Sequence, residues 1–455
     1  MVKKAKLLLF WFLILLFSSC TSLYTNKTHY REVDYQLSIG ENQKALDEFL
    51  QTKERVYSEK DRVLYYIEEG ILYRLAGEYR KSNDSLTLAE NSIEDLFTKS
   101  ISKGILSNVL NDNALPYSGE DYEDIYINIF KALNYFHLKE FESALVEVRK
   151  VNLKLDNLEN RYKGVLEELN SSEDVDIPTA DFNFHNDVLA RYLGIIAYRL
   201  TGLDDDSRIE REYLIKAFNY QESIYNFNLP SLPTESSDMA IINVLSFSGY
   251  SPEKVADTLA IYGSGGYLSL GSNSSYLGFH SIRHSGVTSD LSLKLQFPRL
   301  ESLYDPVSYV EVFVDGISYG YLDLIENIDN IAIETFKVKQ PVIVGKTILR
   351  AISKAVISEI SEDTITENYG EGFGLLSGLL GDIFMQVTEN SDLRSSRYLP
   401  SKVRGLEILV EPGFHDISVV YYNSNFIEIF EESFNNQNIK TGSLNLFEST
   451  LMRKR

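Results

Sequence analysis

Apolar residues recur at three- and four-residue steps from residue 30 to about residue 225, and proline is rare there. That period gathers apolar side chains on one face of a helix and predicts a helical first half. Four segments repeat a small–aromatic–small pattern. The clearest holds Tyr66, Gly70, Tyr73, Gly77, Tyr79, Leu86 and Ala89. A second holds Ala132, Tyr135, Phe141, Ala144, Val148 and Val151. A third holds Gly194, Tyr198 and Gly202, then Ala217 and Tyr220 after the acidic insertion Asp204, Asp205 and Asp206. Gly40, Ala45 and Phe49 form a weaker fourth. A small residue in each helix of a pair lets two backbones approach closely, and aromatic side chains fill the space between pairs. Leu115-Pro116-Tyr117-Ser118-Gly119-Glu120 reads as a turn before a helix starting near Tyr122, and the acidic stretch 171–179 as a connection.

The pattern changes at Leu229-Pro230-Ser231-Leu232-Pro233-Thr234, where a domain boundary is expected. Residues 252–261 read as a short helix, and 262–278, rich in Gly, Ser and Tyr, as a loop. Strand alternation follows. Leu291, Leu293, Leu295 and Phe297 share one face, and Val310, Val312 and Val314 repeat the pattern before the hairpin signal Asp315-Gly316 and a return strand over 319–324. Leu406, Ile408 and Val410, the turn Pro412-Gly413, and then Ile417, Val419 and Tyr421 make another pair, with a further strand at Phe426, Glu428 and Phe430. Between the strand groups, 342–360 is apolar with a basic stripe at Lys346, Arg350 and Lys354, and the glycine-rich run 372–387 reads as a helix buried against the sheet. The expected organisation is a leader over 1–19, a helical domain over 20–229, an α+β domain over 230–440 with antiparallel strands and covering helices, and a tail over 441–455 ending in Arg453-Lys454-Arg455.

The helical pattern resembles the tetratricopeptide repeat. Gly70, Tyr73 and Ala89 fall on its small, aromatic and small positions. The closing proline is missing, Tyr66 or Asn128 stands where tryptophan is usual, and Gly77 to Lys139 exceeds one repeat, so a helical bundle with an aromatic core stays the alternative. The resemblance implies stacked helix pairs whose concave surface receives peptides or protein partners.

The first residues carry Lys3, Lys4 and Lys6, an apolar run over 7–17, and then Ser18, Ser19 and Cys20. This is the layout of an export signal, and the run falls far short of the ~20 residues a membrane-spanning helix needs. Leu16-Phe17-Ser18-Ser19-Cys20 resembles the lipobox of bacterial lipoproteins, with Phe17 where leucine is usual. The resemblance implies that Cys20 is lipidated and becomes the first mature residue; an ordinary secretory signal with a chance cysteine is the alternative. Thr21, rather than Asp, follows Cys20, which favours an outer-membrane address facing the periplasm. The chain has one Cys, so an intramolecular disulfide or a Cys-rich zinc site is excluded. Its 66 acidic and 44 basic residues give a net charge of −22, which becomes −25 once the leader lysines leave and argues against nucleic acid as a partner. An acidic body gains nothing from anionic lipid, so the N-terminal lipid must supply the membrane anchor.

The whole chain resembles a family of uncharacterised bacterial lipoproteins with a tetratricopeptide-like helical half and an α+β half. The resemblance runs through the lipobox, Leu115-Pro116-Tyr117, Ala144-Leu145-Val146-Glu147-Val148-Arg149, Arg350-Ala351-Ile352-Ser353-Lys354-Ala355, Asp392-Leu393-Arg394-Ser395-Ser396-Arg397-Tyr398-Leu399-Pro400 and the Pro412-Gly413 turn. It carries architecture and location but no assigned chemistry.

Catalytic patterns are incomplete. Val344-Gly345-Lys346-Thr347 lacks the upstream glycine of a phosphate loop and reads as a helix start. Gly266-Tyr267-Leu268-Ser269-Leu270-Gly271 spaces its glycine one residue too far from Ser269 for a nucleophile elbow. His280 and His284 flank Arg283 and lack the adjacent Glu of a zinc protease. No catalytic, cofactor or metal residue is therefore expected. Asp392, Arg394 and Arg397 are the charged cluster of interest: two guanidinium groups can grip a carboxylate or phosphate of a partner, or pair locally and lock the junction before Pro400. The expected role is a lipid-anchored interaction scaffold for envelope proteins. The alternative is an envelope enzyme or glycan-binding module using 262–278 or the groove between the halves, which calls for a pocket with carboxylates of shifted pKa.

Overall fold

The computed structural model describes residues 30–102, 115–173, 175–234, 238–271, 277, 280–284, 291–369 and 391–453. The helical half is built of pairs. Helices α1 (Arg31–Ser38) and α2 (Asn42–Val56), α3 (Arg62–Leu75) and α4 (Tyr79–Ser102), α5 (Asp121–His137) and α6 (Phe141–Glu173), and α7 (Val188–Thr201) and α8 (Asp204–Tyr220) pack together, and each pair packs on the next in chain order. Local chemistry starts them. Glu120 and Glu123 form a reciprocal capping box at α5, and the Asp187 carboxylate accepts from the Ala190 amide at α7.

Gly70 shows why the small positions matter. A Cβ there would lie 2.6 Å from two carbons of Leu86, itself fully buried in α4. Gly70→Ala is expected to destabilise the fold by about 1–2 kcal/mol despite alanine's higher helix propensity, because Leu86 has nowhere to move. Gly164 in α6 is the control: a Cβ there meets nothing within 4 Å, so Gly164→Ala is expected to stabilise by about 0.5–1 kcal/mol. Urea unfolding of both variants checks the opposite signs.

Three sheets are present, one of them edged by a short strand from the stretch 171–179 that was expected to be a connection only. The central one has the order β13-β2-β10-β9, from β2 (Ala240–Ser248), β9 (Asp323–Asn327), β10 (Lys402–Val410) and β13 (Asn445–Leu451), with β13 parallel to β2 and the other pairs antiparallel. An outer sheet has the order β12-β11-β7-β8, from β7 (Tyr309–Val314), β8 (Ile317–Tyr321), β11 (Gly413–Tyr422) and β12 (Glu428–Ile439). The third has the order β1-β5-β4-β3-β6, from β1 (Val175–Asp176), β3 (Glu253–Ser264), β4 (Tyr267–Leu270), β5 (Ser281–His284) and β6 (Leu291–Glu301). Strand alternation divides β2 between two cores. Leu245 and Phe247 join the core of the helices, while Ile242 and Val244 join Val310, Val312, Ile417 and Val419 between the central and outer sheets. Helix α9 (Ile328–Tyr369) packs on α5, α6, β6 and β10.

The first helix of each later pair is therefore enclosed. Helices α5 and α7 are buried almost all round, whereas α8 buries one face only. Among the described residues no helix is long and apolar enough to cross a membrane.

Several expectations need correction. Residues 252–261 are strand β3, not a helix; antiparallel pairing with β6 from Glu253 to Gly263 overrides a composition that suits either state. Much of the expected loop 262–278 is the β3–β4 hairpin, turning at Gly265 and Gly266 with φ of +57° and +86°. The helix expected from 342 begins at Ile328 and runs through Pro341, so Gly345-Lys346-Thr347 is helix interior rather than a helix start. The expected tail 441–455 contains β13, a full member of the central sheet. The run 372–387 and the side chain of Lys354 lie outside the described residues.

Candidate functional site

A cavity of about 210 Å³ opens between the two halves, where the end of α3 meets β12, β13 and the segment before β10. Its polar wall starts with Arg74, near the end of α3. Arg74 Nη1 donates to Asn134 Oδ1 at 2.7 Å, and Asn134 donates onward to Ser82 and Asn83, so α4 and α5 fix the guanidinium. Arg74 Nη2 donates to Glu448 of β13, and His137 Nε2 lies 2.9 Å from the other oxygen of that carboxylate. The His137 ring stacks on Tyr79 at 4.2 Å. Glu432 and Phe434, two residues apart and so on one face of β12, line the cavity with Thr450 and Asn42, and Phe130, Phe247, Tyr398 and Pro400 supply apolar wall.

The two carboxylates are tuned in opposite directions. Burial pushes Glu448 up, but Arg74 and His137 outweigh it and hold the group down at about 2. Burial raises Glu432 against the weaker opposing pull of the Ser449 hydroxyl and the Thr450 amide. A permanently ionised acceptor thus shares a cavity with a carboxyl that keeps its proton longer, a division that marks acid and base partners in many sites. Among the described residues no three His, Cys, Asp or Glu gather as a metal set.

The cluster Asp392, Arg394 and Arg397 does not converge on one anion. Arg394 is bidentate to Asp392 (Nε–Oδ1 2.9 Å, Nη2–Oδ2 2.7 Å) and also donates to Asp61 Oδ1 at 2.9 Å and to the Leu115 carbonyl at 2.9 Å, over the Tyr117 ring. Arg397 is bidentate to Asp34 of α1 and lies over Tyr30. The local pair Asp392–Arg394 is present, but the wider role is to tie the strand-side segment to the helical half. The segment's own amides extend the tie, since Ser396 N donates to Glu123 and Arg397 N to Glu68 at 3.0 Å. A second tie joins Glu120, at the start of α5, to Lys254 of β3 and Lys339 of α9, the latter at 3.0 Å.

Glu68 gives the tied region a pH signature. It is buried under Tyr57 and the Arg397 amide, and burial lifts its pKa from 4.5 to about 7. Between those values the unfolded chain ionises while the folded chain keeps the proton. Stability contributed by the neutral group is complete below about pH 4.5 and lost as pH rises through about 7, by roughly 3 kcal/mol. Glu68→Gln keeps a neutral group at all pH values. Its advantage over the parent is expected to grow by that amount between pH 4.5 and 8, read from denaturation midpoints at both ends.

The remaining sequence candidates separate. Cys20 and the leader lie outside the described residues. Ser269 sits inside β4, paired with Tyr262, rather than on a strand-to-helix turn. His284 is in β5, opposite Val175. Tyr262 and Tyr267 are exposed on the β3–β4 hairpin, and 272–276 lie outside the described residues. Arg74, His137, Glu432 and Glu448 carried no motif; the alternating Phe447, Ser449 and Leu451 was the one local signal that would have set Glu448 on the opposite, helix-facing side of a strand. Comparisons of the chain with protein-family models, with curated proteins and with solved structures find no match.

Proposed function

We propose that the chain is a bacterial envelope lipoprotein, anchored through lipid on Cys20 in the outer membrane and facing the periplasm, and that it acts as an interaction scaffold for envelope proteins. A tetratricopeptide-like stacking of the helix pairs is part of this proposal, supported by the close helix approach at Gly70 and by pairs that pack in chain order. One observation carries the scaffold reading. Large apolar side chains are exposed on the second helices of three successive pairs, with Leu88 on α4, Val146 and Leu153 on α6, and Ile209, Tyr213 and Tyr220 on α8. Helices α3, α5 and α7 contribute none to that exposed set; α5 packs on α9 and α7 on β9 of the chain's own second half, and α3 is enclosed by its neighbouring helices. The reading thus assigns docking to the outer side of the array, not to the side lined by first helices.

Cys20→Ser is expected to move the protein from the detergent-extracted membrane fraction to the soluble envelope fraction, since an anionic body gains nothing from anionic lipid. Unchanged fractionation removes the lipid anchor. Crosslinking in intact cells through photoreactive residues at Val146 and Tyr213 tests the scaffold, and recovery of no partner above background counts against it.

The second reading, an envelope enzyme or glycan-binding module, is supported at the groove between the halves by the cavity and its oppositely tuned carboxylates.

A further inference from the structure

We propose that the cavity between the halves binds a small organic ammonium ion, its nitrogen against the Glu432 carboxylate and its carbon skeleton against Phe434, Phe130 and Phe247. The proposal deepens the second reading and rests on it. The cavity's volume of about 210 Å³ exceeds the roughly 150 Å³ that holds a benzene ring and admits a body of roughly ten non-hydrogen atoms.

Charge selects the class. Glu448 already holds Arg74 and His137, and Arg74 is further bound to Asn134, so these groups are satisfied within the protein. Glu432 is different. The groups acting on it are the Ser449 hydroxyl and the Thr450 amide, neither of them a cation. A half-buried carboxylate without a counter-charge among the described residues is the group a ligand cation would complete. An anion would have to approach a chain of net charge −22 and settle beside two carboxylates.

The walls agree with that choice. The Arg74 guanidinium lies 5.6 Å from the Phe130 ring centre and 5.9 Å from that of Phe247, so this aromatic lining already accommodates positive charge. Phe434 stands on the same face of β12 as Glu432 and gives a cation's alkyl part an apolar contact. Tyr398, another wall residue, is fully buried, and its hydroxyl has no hydrogen-bond partner among the described residues. A bound ammonium would stabilise ionised Glu432, so affinity rises with pH as the carboxyl loses its proton.

Titration calorimetry on the full-length chain tests this with butylammonium and choline as probes, and with 1-butanol, butanoate and N-acetylglucosamine as comparisons. Butylammonium is expected to bind at pH 7.5 about tenfold or more tighter than 1-butanol, with butanoate silent, and to weaken at pH 5. Glu432→Gln is expected to lose about tenfold in affinity with an unchanged thermal melt, and Phe434→Leu to lose a smaller factor. If Glu432→Gln fails to fold, Phe434→Leu and the pH dependence still decide. Binding of N-acetylglucosamine with both ammonium probes silent overturns the cation assignment and leaves the cavity as a ligand site. Silence of every probe overturns the second reading as well. Ammonium binding that Glu432→Gln and Phe434→Leu leave unchanged overturns the placement.

Discussion

Glu120→Ala is expected to cost about 3–5 kcal/mol of folding stability, as the loss of one partner from a buried ion triad does. Glu120 is 4% exposed and bridges two lysines from different elements of the second half, Lys254 of β3 and Lys339 of α9. Burial works against the ionised carboxylate, but the two ammonium groups outweigh it and hold its pKa below the usual range. Truncation removes the partner of both cations at once and deletes half of the α5 capping box. The buried Lys254 and the half-buried Lys339 would then lose their shared carboxylate, and among the described residues the Gly119 carbonyl stays as a hydrogen-bond acceptor for Lys339. Chemical denaturation followed by circular dichroism measures the loss. The triple replacement Glu120→Leu, Lys254→Met and Lys339→Met is expected to recover most of it, because apolar groups of similar volume replace a buried ion triad with little penalty. A single variant with the parent's midpoint would mean that water reaches both lysines.

Arg394→Ala is expected to cost about 2–3 kcal/mol, less than Glu120→Ala because its pairs are closer to solvent. The guanidinium holds Asp392 and Asp61 together and caps the Leu115 carbonyl, so its loss leaves two carboxylates near each other without their shared cation. Arg394→Lys is expected to recover only part of the loss, since one ammonium cannot span Asp392, Asp61 and a carbonyl in the fork geometry of arginine. A variant that keeps its stability but fails to crosslink its partner would assign Arg394 to recognition instead.

Periodicity located the helix pairs, because each pair buries its own stripe and the small residues at the crossings are set by the neighbour helix alone. The strands at Leu293–Phe297 and Val310–Val314 were legible for the same reason: alternation is a local property of a half-buried strand. What stayed hidden depends on distant partners. The segment 252–261 carries Glu253, Lys254, Ala256, Leu259 and Ala260, all good helix formers, and pairing with β6 makes it a strand. β13 reads weakly because Ser449 interrupts its apolar face, yet that hydroxyl is bonded to Tyr421 across the second core. The site is the extreme case. Arg74 and Glu448 are 374 residues apart, and nothing near either announces the other. Asp392, Arg394 and Arg397 were visible as a charged cluster, but Asp34 and Asp61, which give the arginines their long-range role, carry no local signal that links them to it.

The parallel pairing of β13 on β2 sets a timetable for folding. Asn445 and Ile241, bonded across that pair, are separated by 204 positions, so the central strand is made long before its last neighbour. A chain made from its N-terminus shows its helix pairs first, with the inner surfaces of α3, α5 and α7 bare. Those surfaces stay wet until β10 and β13 arrive to build the sheet over them, and pairings of such long range are slow to close. Closure of the tail-ward strand is therefore expected to be slower than formation of the helices, which a refolding time course read by a probe on β13 checks.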